Sequence, residues 1–270
     1  MQMTQDLLLL YAGEDHRGET NQAIAQYCLA HFATMGSETI THLAGACHVS
    51  PATITRFCHM LGYDDFLHFK DECRLNHRIR NAFYGQLPRV LGDDWCDFSP
   101  TALGASVQAL ASNVESCLAG VDEACLRQLA GEILAARDVL LLGIEFSALT
   151  ALYLQLELNK RGKITRVLRD TANLNKVRVD HDTLLVLFSM SGYGLDILQD
   201  ALVRLRERSG GLWLVTTNPA LTHRPYVTQA LCAGNSSYRY RRYAELALAD
   251  MLLAAYGHGP LPYGPQEPMA

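Results

Sequence analysis

Apolar residues recur at helical spacing through the first third of the chain. Beyond about residue 137 they gather instead into short, nearly continuous runs alternating with helical segments. In Asn21 to Met35 the residues Ile24, Tyr27, Cys28, His31 and Met35 share one face and Gly36 closes the segment, which predicts a single helix with His31 as a core histidine. A second helix is expected near Thr39 to Cys47, with Ile40, Leu43, Ala44 and Cys47 inward. A third follows at once. Ser50 is a good N-cap, Pro51 suits the first helical position, Ile54, Phe57, Cys58 and Leu61 make the inward face, and Gly62 ends the helix. A fourth completes a set of four short helices between Asn21 and about Arg80.

From Pro88 to Pro100 the composition shifts to Gly92, Asp93, Asp94, Trp95, Asp97 and Ser99, which reads as a linker. The expected organisation is a helical domain over 1–87, a linker over 88–100, a second domain over 101–256 and a flexible tail over 257–270. Two helices, about Thr101 to Leu118 and Asp122 to Ala136, precede five strand candidates: Val139 to Gly143, Ile164 to Leu168, Thr183 to Ser189, Leu212 to Thr217 and Gln229 to Cys232. The first, third and fourth are almost wholly apolar, as parallel strands covered on both faces should be. The fold class is therefore α/β overall, an all-α N-terminal domain followed by a doubly wound parallel α/β domain. A last helix, about Tyr238 to Tyr256, interleaves Arg239, Arg241 and Arg242 with Tyr238, Tyr240 and Tyr243 and then shows an apolar face of Leu246, Ala249, Leu252 and Leu253. Such interleaving suits nucleic acid or phosphate, but a dimer-interface helix with a solvated first turn is the preferred reading.

Two short helices joined at His48-Val49 match a helix-turn-helix, although a plain three-helix packing unit has the same periodicity. His48 stands where the turn usually prefers glycine, and histidine is among the residues that tolerate positive φ. The outward residues of the second helix of the pair, Ser50, Ala52, Thr53, Thr55, Arg56 and His59, are small, hydroxylated or basic, so they are the candidate DNA-binding set. In the α/β part, ligands belong at the carboxyl ends of the strands. Three polar loops fall there: Gly143-Ile144-Glu145-Phe146-Ser147, Ser189-Met190-Ser191-Gly192-Tyr193-Gly194 and Thr216-Thr217-Asn218-Pro219. Any one of them could be a tight turn and nothing more. Three together, with hydroxyls and N–H groups ahead of helix N-termini, suit a phosphate. The candidate ligand-binding residues are Gly143, Glu145, Ser147, Ser189, Ser191, Gly192, Gly194, Thr216 and Asn218.

The run from Thr39 to Arg74, TITHLAGACHVSPATITRFCHMLGYDDFLHFKDECR, resembles the helix-turn-helix domain of RpiR-type bacterial transcription regulators over roughly residues 20 to 80. Ser50, Thr53-Ile54, Arg56-Phe57 and Leu61-Gly62-Tyr63…Phe66 carry the resemblance, and Cys58, His59 and Met60 depart from it where relatives often have lysines. Residues 101 to 256 resemble the sugar isomerase (SIS) domain that follows in such regulators and senses a phosphosugar. Ser189, Ser191 and Gly192 match its S-x-S-G element, and Ser147 matches the serine of its G-x-G-x-S loop. Glu145 stands in place of the second glycine, and Tyr193-Gly194 removes one phosphate-binding hydroxyl. An inward carboxylate at Glu145 would repel a dianion.

Composition changes this picture at three points. The 270 residues carry a formal charge of −5, and residues 1 to 90 hold seven Lys or Arg against nine Asp or Glu, so the DNA-binding segment is itself formally −2. Weak non-specific DNA binding follows, unless the seven histidines of the segment protonate in part. The eight cysteines include no C-x-x-C; they are expected as reduced, mostly buried thiols, and Cys47-His48 and Cys58-His59 are not assigned to a metal. Apolar runs such as Leu7 to Ala12 and Val139 to Ile144 fall far short of the ~20 residues that cross a bilayer. Asp6, Glu14 and Asp15 around the first run do not suit a signal peptide, so a cytoplasmic protein is expected. The expected function is a transcription regulator without catalytic residues, cofactor or metal, partnered by double-stranded operator DNA, a small-molecule effector and further copies of itself as a homodimer or tetramer, with no membrane partner. Two rivals stay open: a phosphosugar isomerase with Glu145 or His223 as acid or base, and a regulator whose degenerate sensor serves only dimerisation.

Overall fold

The computed structural model describes residues 4–13, 20–84, 100–144, 146–168, 174, 176–192, 194–234, 236 and 240–257. All but the last residue of the expected linker, and the tail beyond Gly257, lie outside them, as do Glu145 and Tyr193. The chain forms two compact units, one built from residues 2–85 and 170–176 and one from residues 1, 86–169 and 177–270.

The first unit is all helical: α1 (Thr4–Gly13), α2 (Thr20–Ala30), α3 (Phe32–Met35), α4 (Ile40–Ala46), α5 (Pro51–Met60) and α6 (Phe66–Tyr84). Its core gathers Leu8, Ile24, Cys28, Met35, Leu43, Ile54, Phe57 and Phe69, each at most 1% exposed. The helix expected over Asn21 to Met35 is broken in two. The chain leaves helical geometry at His31 (φ −113°, ψ 21°), and His31 is exposed rather than in the core. The buried residues on either side of the break, Ile24, Cys28, Phe32 and Met35, keep one helical spacing through it. The expected four helices are therefore five, and α1 adds a sixth whose Leu8 is fully buried.

The second unit begins with α7 (Pro100–Ala119) and α8 (Glu123–Ala135) and continues β1 (Asp138–Gly143), α9 (Phe146–Lys160), β2 (Arg166–Val167), β3 (Thr183–Phe188), α10 (Leu195–Glu207), β4 (Gly211–Thr216), a short 3-10 turn (Pro219–Leu221), β5 (Gln229–Cys232) and α11 (Arg241–Tyr256). The five strands form one parallel sheet in the order β2-β1-β3-β4-β5. β3 and β4 are buried along their whole length, as central strands between two helical layers must be. The strand expected over Ile164 to Leu168 shrinks to Arg166–Val167. It is an edge strand paired only through Leu140↔Arg166 and Leu141↔Val167, and Ile164 is 81% exposed. In α11 the inward positions are Ala244, Glu245, Leu248, Ala249, Leu252 and Leu253. The expected face is thus shifted in phase: Leu246 is only half-buried, and Glu245 is inside. α11 begins at Arg241, so Tyr238 and Arg239 are outside the described residues.

Candidate functional site

α4, the turn and α5 present the candidate DNA-binding residues. The Thr39 hydroxyl caps α4 by accepting from the His42 N–H at 3.2 Å. After α4 the chain turns through His48 at φ 55°, the single positive-φ residue other than glycine among the described residues. The Val49 N–H closes the turn on the Ala44 carbonyl at 2.9 Å. Ser50 then caps α5, its Oγ accepting from the Thr53 N–H at 3.2 Å, and Pro51 occupies the first turn. With Ile54, Phe57 and Cys58 buried, Ala52, Arg56 and His59 are left exposed, and Ser50 is exposed at the head of the helix. The polar side chains are joined along that face. Ser50 Oγ lies 3.0 Å from Thr53 Oγ1, and Arg56 Nη2 donates to Thr53 Oγ1 at 3.3 Å. The Thr55 hydroxyl turns back to the Pro51 carbonyl at 3.2 Å, and His59 Nε2 donates to the Asp64 carbonyl at 2.7 Å. Arg56 is held by one long bond to a neutral hydroxyl, so it can leave Thr53 for a base edge or a phosphate at small cost.

In the α/β unit the register sets Gly143, Phe188 and Val215 side by side across β1, β3 and β4, so the loops that follow all open at one edge of the sheet. Strand order reverses between β1 and β3, which puts the first two loops on either side of the crevice where open α/β sheets bind ligands. Ser147 is the second residue of α9 and is 7% exposed. Beyond β3, Ser189 is 6% exposed and its N–H bonds the Val215 carbonyl at 3.0 Å. The Met190 carbonyl accepts from Thr217 Oγ1 at 2.8 Å and Thr216 Oγ1 at 3.4 Å. Asn218 donates from Nδ2 to the Ser191 carbonyl at 3.3 Å, and its Oδ1 accepts from the Ala220 N–H at 3.1 Å. The polar groups of Thr216 and Asn218 thus stitch the second loop to the third. The Ser189 and Ser191 hydroxyls make no hydrogen bond among the described residues, and Gly192 (φ 85°) and Gly194 (φ 79°) take left-handed turns into α10. At Gly192 a Cβ would also meet Leu221 Cδ1 at 2.7 Å.

His223, a candidate of the isomerase reading, is exposed. A cavity of about 460 Å³ opens at the opposite, amino edge of the sheet, lined by His181, Thr183 and Gly210. Its one arginine, Arg137, is engaged by Asp180 at 2.6 Å and Asp182 at 3.3 Å, which leaves that edge poorly suited to an anion.

The pattern along the sequence does not single out Glu245. Its side chain is 2% exposed, Oε1 has no hydrogen-bond partner, and burial pushes the carboxyl up to about 7 against the opposing pull of the Ser147 hydroxyl and the Arg241 charge. The signal that could have found it is the phase of α11: Ala244, Leu248 and Leu252 with Ala249 and Leu253 place position 245 on the inner face.

Residues 8–78 match the helix-turn-helix domain of the rpiR family. Among solved structures, the NanR protein of Vibrio vulnificus complexed with ManNAc-6P is 19% identical, with 93% of this chain and 91% of that chain covered and a TM-score of 0.48. The sugar isomerase domain of an RpiR transcription factor from Sphaerobacter thermophilus is 23% identical, with 56% and 88% covered and a TM-score of 0.46. A hypothetical protein at 14% identity covers 58% of this chain and 88% of its own, with a TM-score of 0.50, a likeness of fold. No match was found among the curated proteins. Among the described residues no helix is long and apolar enough to cross a membrane. Residues 8–78 thus carry a helix-turn-helix domain of the rpiR family type.

Proposed function

We propose that the chain is a DNA-binding transcription regulator whose α/β unit senses a sugar phosphate or a related small anionic metabolite. α5 is the recognition helix, with Ser50, Ala52, Thr53, Thr55, Arg56 and His59 toward the duplex. Because one short helix supplies few base contacts, the regulator works as a homodimer or tetramer on paired half-sites. The observation that carries the sensing role is the pair of uncommitted hydroxyls, Ser189 and Ser191, in a loop that turns through left-handed glycines into α10 at the switch point of the sheet. Ser147, in the first turn of α9 after β1, completes the set, while Gly143, Gly192 and Gly194 shape the cradle. Thr216 and Asn218 support it from the third loop, and Glu145 borders it in sequence. The NanR complex with ManNAc-6P supports a phosphosugar as the effector class.

A gel-shift titration of the protein's own upstream region, with and without hexose 6-phosphates found by thermal shift, tests both halves. Specific binding that the phosphosugar alters is expected; no specific complex in any condition refutes the regulator. One observation favours an isomerase as a second reading: Glu245 is a buried carboxyl beside Ser147, where proton abstraction needs a base. Turnover of the bound phosphosugar, followed by NMR, distinguishes the two.

A further inference from the structure

Glu245 is buried on α11, which packs against α7, α8 and α9 among the described residues. On its own helix Arg241 supplies the one charge that acts on it, and Arg241 Nη2 is also bonded to the Ser236 carbonyl at 3.2 Å. From α9 come Ser147 and, one turn on, Thr150, which is fully buried with no hydrogen-bond partner for its hydroxyl. The titratable Tyr153 of α9 is taken by Asp250 of α11. From α7 the titratable group packed toward α11 is Cys117, a thiol that burial pushes up and that donates to the Gly234 carbonyl at 3.1 Å. From α8 the packed residues are apolar, among them Leu126, Leu129 and Ile133, and Glu132 bonds Trp213 Nε1 at 2.6 Å. Burial dominates the proton affinity of Glu245, and of the groups that pull against it the Ser147 hydroxyl comes first and Arg241 second.

A serine hydroxyl has one proton to donate. While Glu245 is a carboxylate, that proton is drawn toward Glu245 and a phosphate at the loop meets lone pairs. With Glu245 protonated, the carboxyl O–H donates to Ser147 Oγ, and the Ser147 proton turns toward the phosphate. We propose that Glu245 is the positioning residue for Ser147, and that binding of a phosphorylated sugar at the loops after β1 and β3 draws one proton from solvent onto the Glu245 carboxyl. The inference rests on the sensing role proposed above and adds a proton to it. The balance is simple: one proton leaves the buffer, one carboxylate becomes a carboxylic acid, and no bond in the ligand changes. Because burial has already raised Glu245 to about 7, the switch falls within the physiological range.

The test is calorimetry of the full chain with hexose 6-phosphates, in buffers of different ionisation enthalpy from pH 6 to 8.5. Proton uptake on binding is expected, with affinity falling by up to about tenfold per pH unit above the Glu245 midpoint. Glu245→Gln keeps the size of the side chain, and its amide N–H can still donate to Ser147; it should bind with a flat pH profile and no uptake from this group. Ser147→Ala should weaken binding about tenfold or more and lose the linkage as well. Glu123→Gln, at an exposed carboxylate of α8 away from the loops, serves as the control and should retain the uptake. Binding without uptake, or uptake that survives in Glu245→Gln, overturns the inference while leaving the sensor intact. Failure of every phosphosugar to bind overturns the sensor and this inference with it.

Discussion

Gly143 and Ser147 approach so closely that a Cβ on Gly143 would lie 2.2 Å from the Ser147 carbonyl oxygen and 2.7 Å from the Ala148 nitrogen. The end of β1 and the first turn of α9 are thus in backbone contact, and only a hydrogen fits between them. This contact fixes Ser147 at the carboxyl edge of the sheet. Gly143→Ala must push α9 away, and overpacking against backbone of this kind costs roughly 1–3 kcal/mol. Chemical denaturation should show that loss, with phosphosugar binding weakened beyond what the lost stability explains. Unchanged stability would mean that the loop yields freely.

Arg56→Ala should leave the fold intact, because the side chain is exposed and its one bond runs to Thr53 on the same helix. A lost base or phosphate contact should weaken specific DNA binding by ~1–3 kcal/mol. An unchanged gel-shift titration with wild-type thermal stability would show that another face meets the DNA.

His48 turns between α4 and α5 with φ at 55°, where a Cβ is disfavoured by roughly 1–2 kcal/mol. The greater flexibility of glycine in the unfolded chain offsets part of that gain. His48→Gly should therefore raise stability by about 0.5–1 kcal/mol with the same turn, read as a higher thermal midpoint. A lower midpoint would show that the imidazole makes a contact that outweighs its backbone strain.

Much of this arrangement is legible in the sequence, for physical reasons that differ from residue to residue. Ser50, Pro51 and Gly62 act locally through caps and allowed dihedrals, so the bounds of α5 follow from them. The runs around Val139, Leu185 and Leu214 suit only strands buried on both faces, and a parallel sheet then brings Ser147, Ser189 and Ser191 to one edge. The break at His31 is not legible because the apolar positions Ile24, Cys28, Phe32 and Met35 keep helical period straight through it. β2 is overread because an edge strand with one neighbour needs few pairs. Glu245 escapes because a lone carboxylate in an apolar helix reads as a solvent position, and only the packing of α11 shows that it faces inward. Whether the carboxylate of Glu145 meets the ligand is a matter for Glu145→Gly, which should tighten a phosphosugar if it does.

Ser191→Ala isolates the ligand loop. The Ser191 hydroxyl has no bond to lose among the described residues, and its carbonyl, which holds Asn218, is unaffected by the change. Stability should be unaltered, while binding of a phosphosugar weakens by ~1.5–3 kcal/mol, the worth of a hydrogen bond to a charged oxygen. Wild-type affinity by calorimetry would remove Ser191 from the site.

The last prediction concerns stability against pH in the absence of ligand. Glu245 has its proton affinity raised by folding, from an ordinary 4.5 to about 7, so the folded state holds the proton more tightly than the unfolded state does. The sign follows from that difference: between these two values the unfolded chain has released the proton and the folded chain has not, so stability falls as pH rises from about 4.5 to about 7. Above that window both states are ionised and the loss is complete, at up to roughly 3 kcal/mol from the conversion of about 1.4 kcal/mol per pH unit. Glu245→Gln does not ionise. Urea denaturation of the variant should give a flatter profile across the window and a stability above pH 7.5 that exceeds that of wild type. Parallel profiles for the two proteins would show that Glu245 ionises in the folded chain as it does in the unfolded one, with its charge solvated or paired, and the buried-acid assignment would then be wrong.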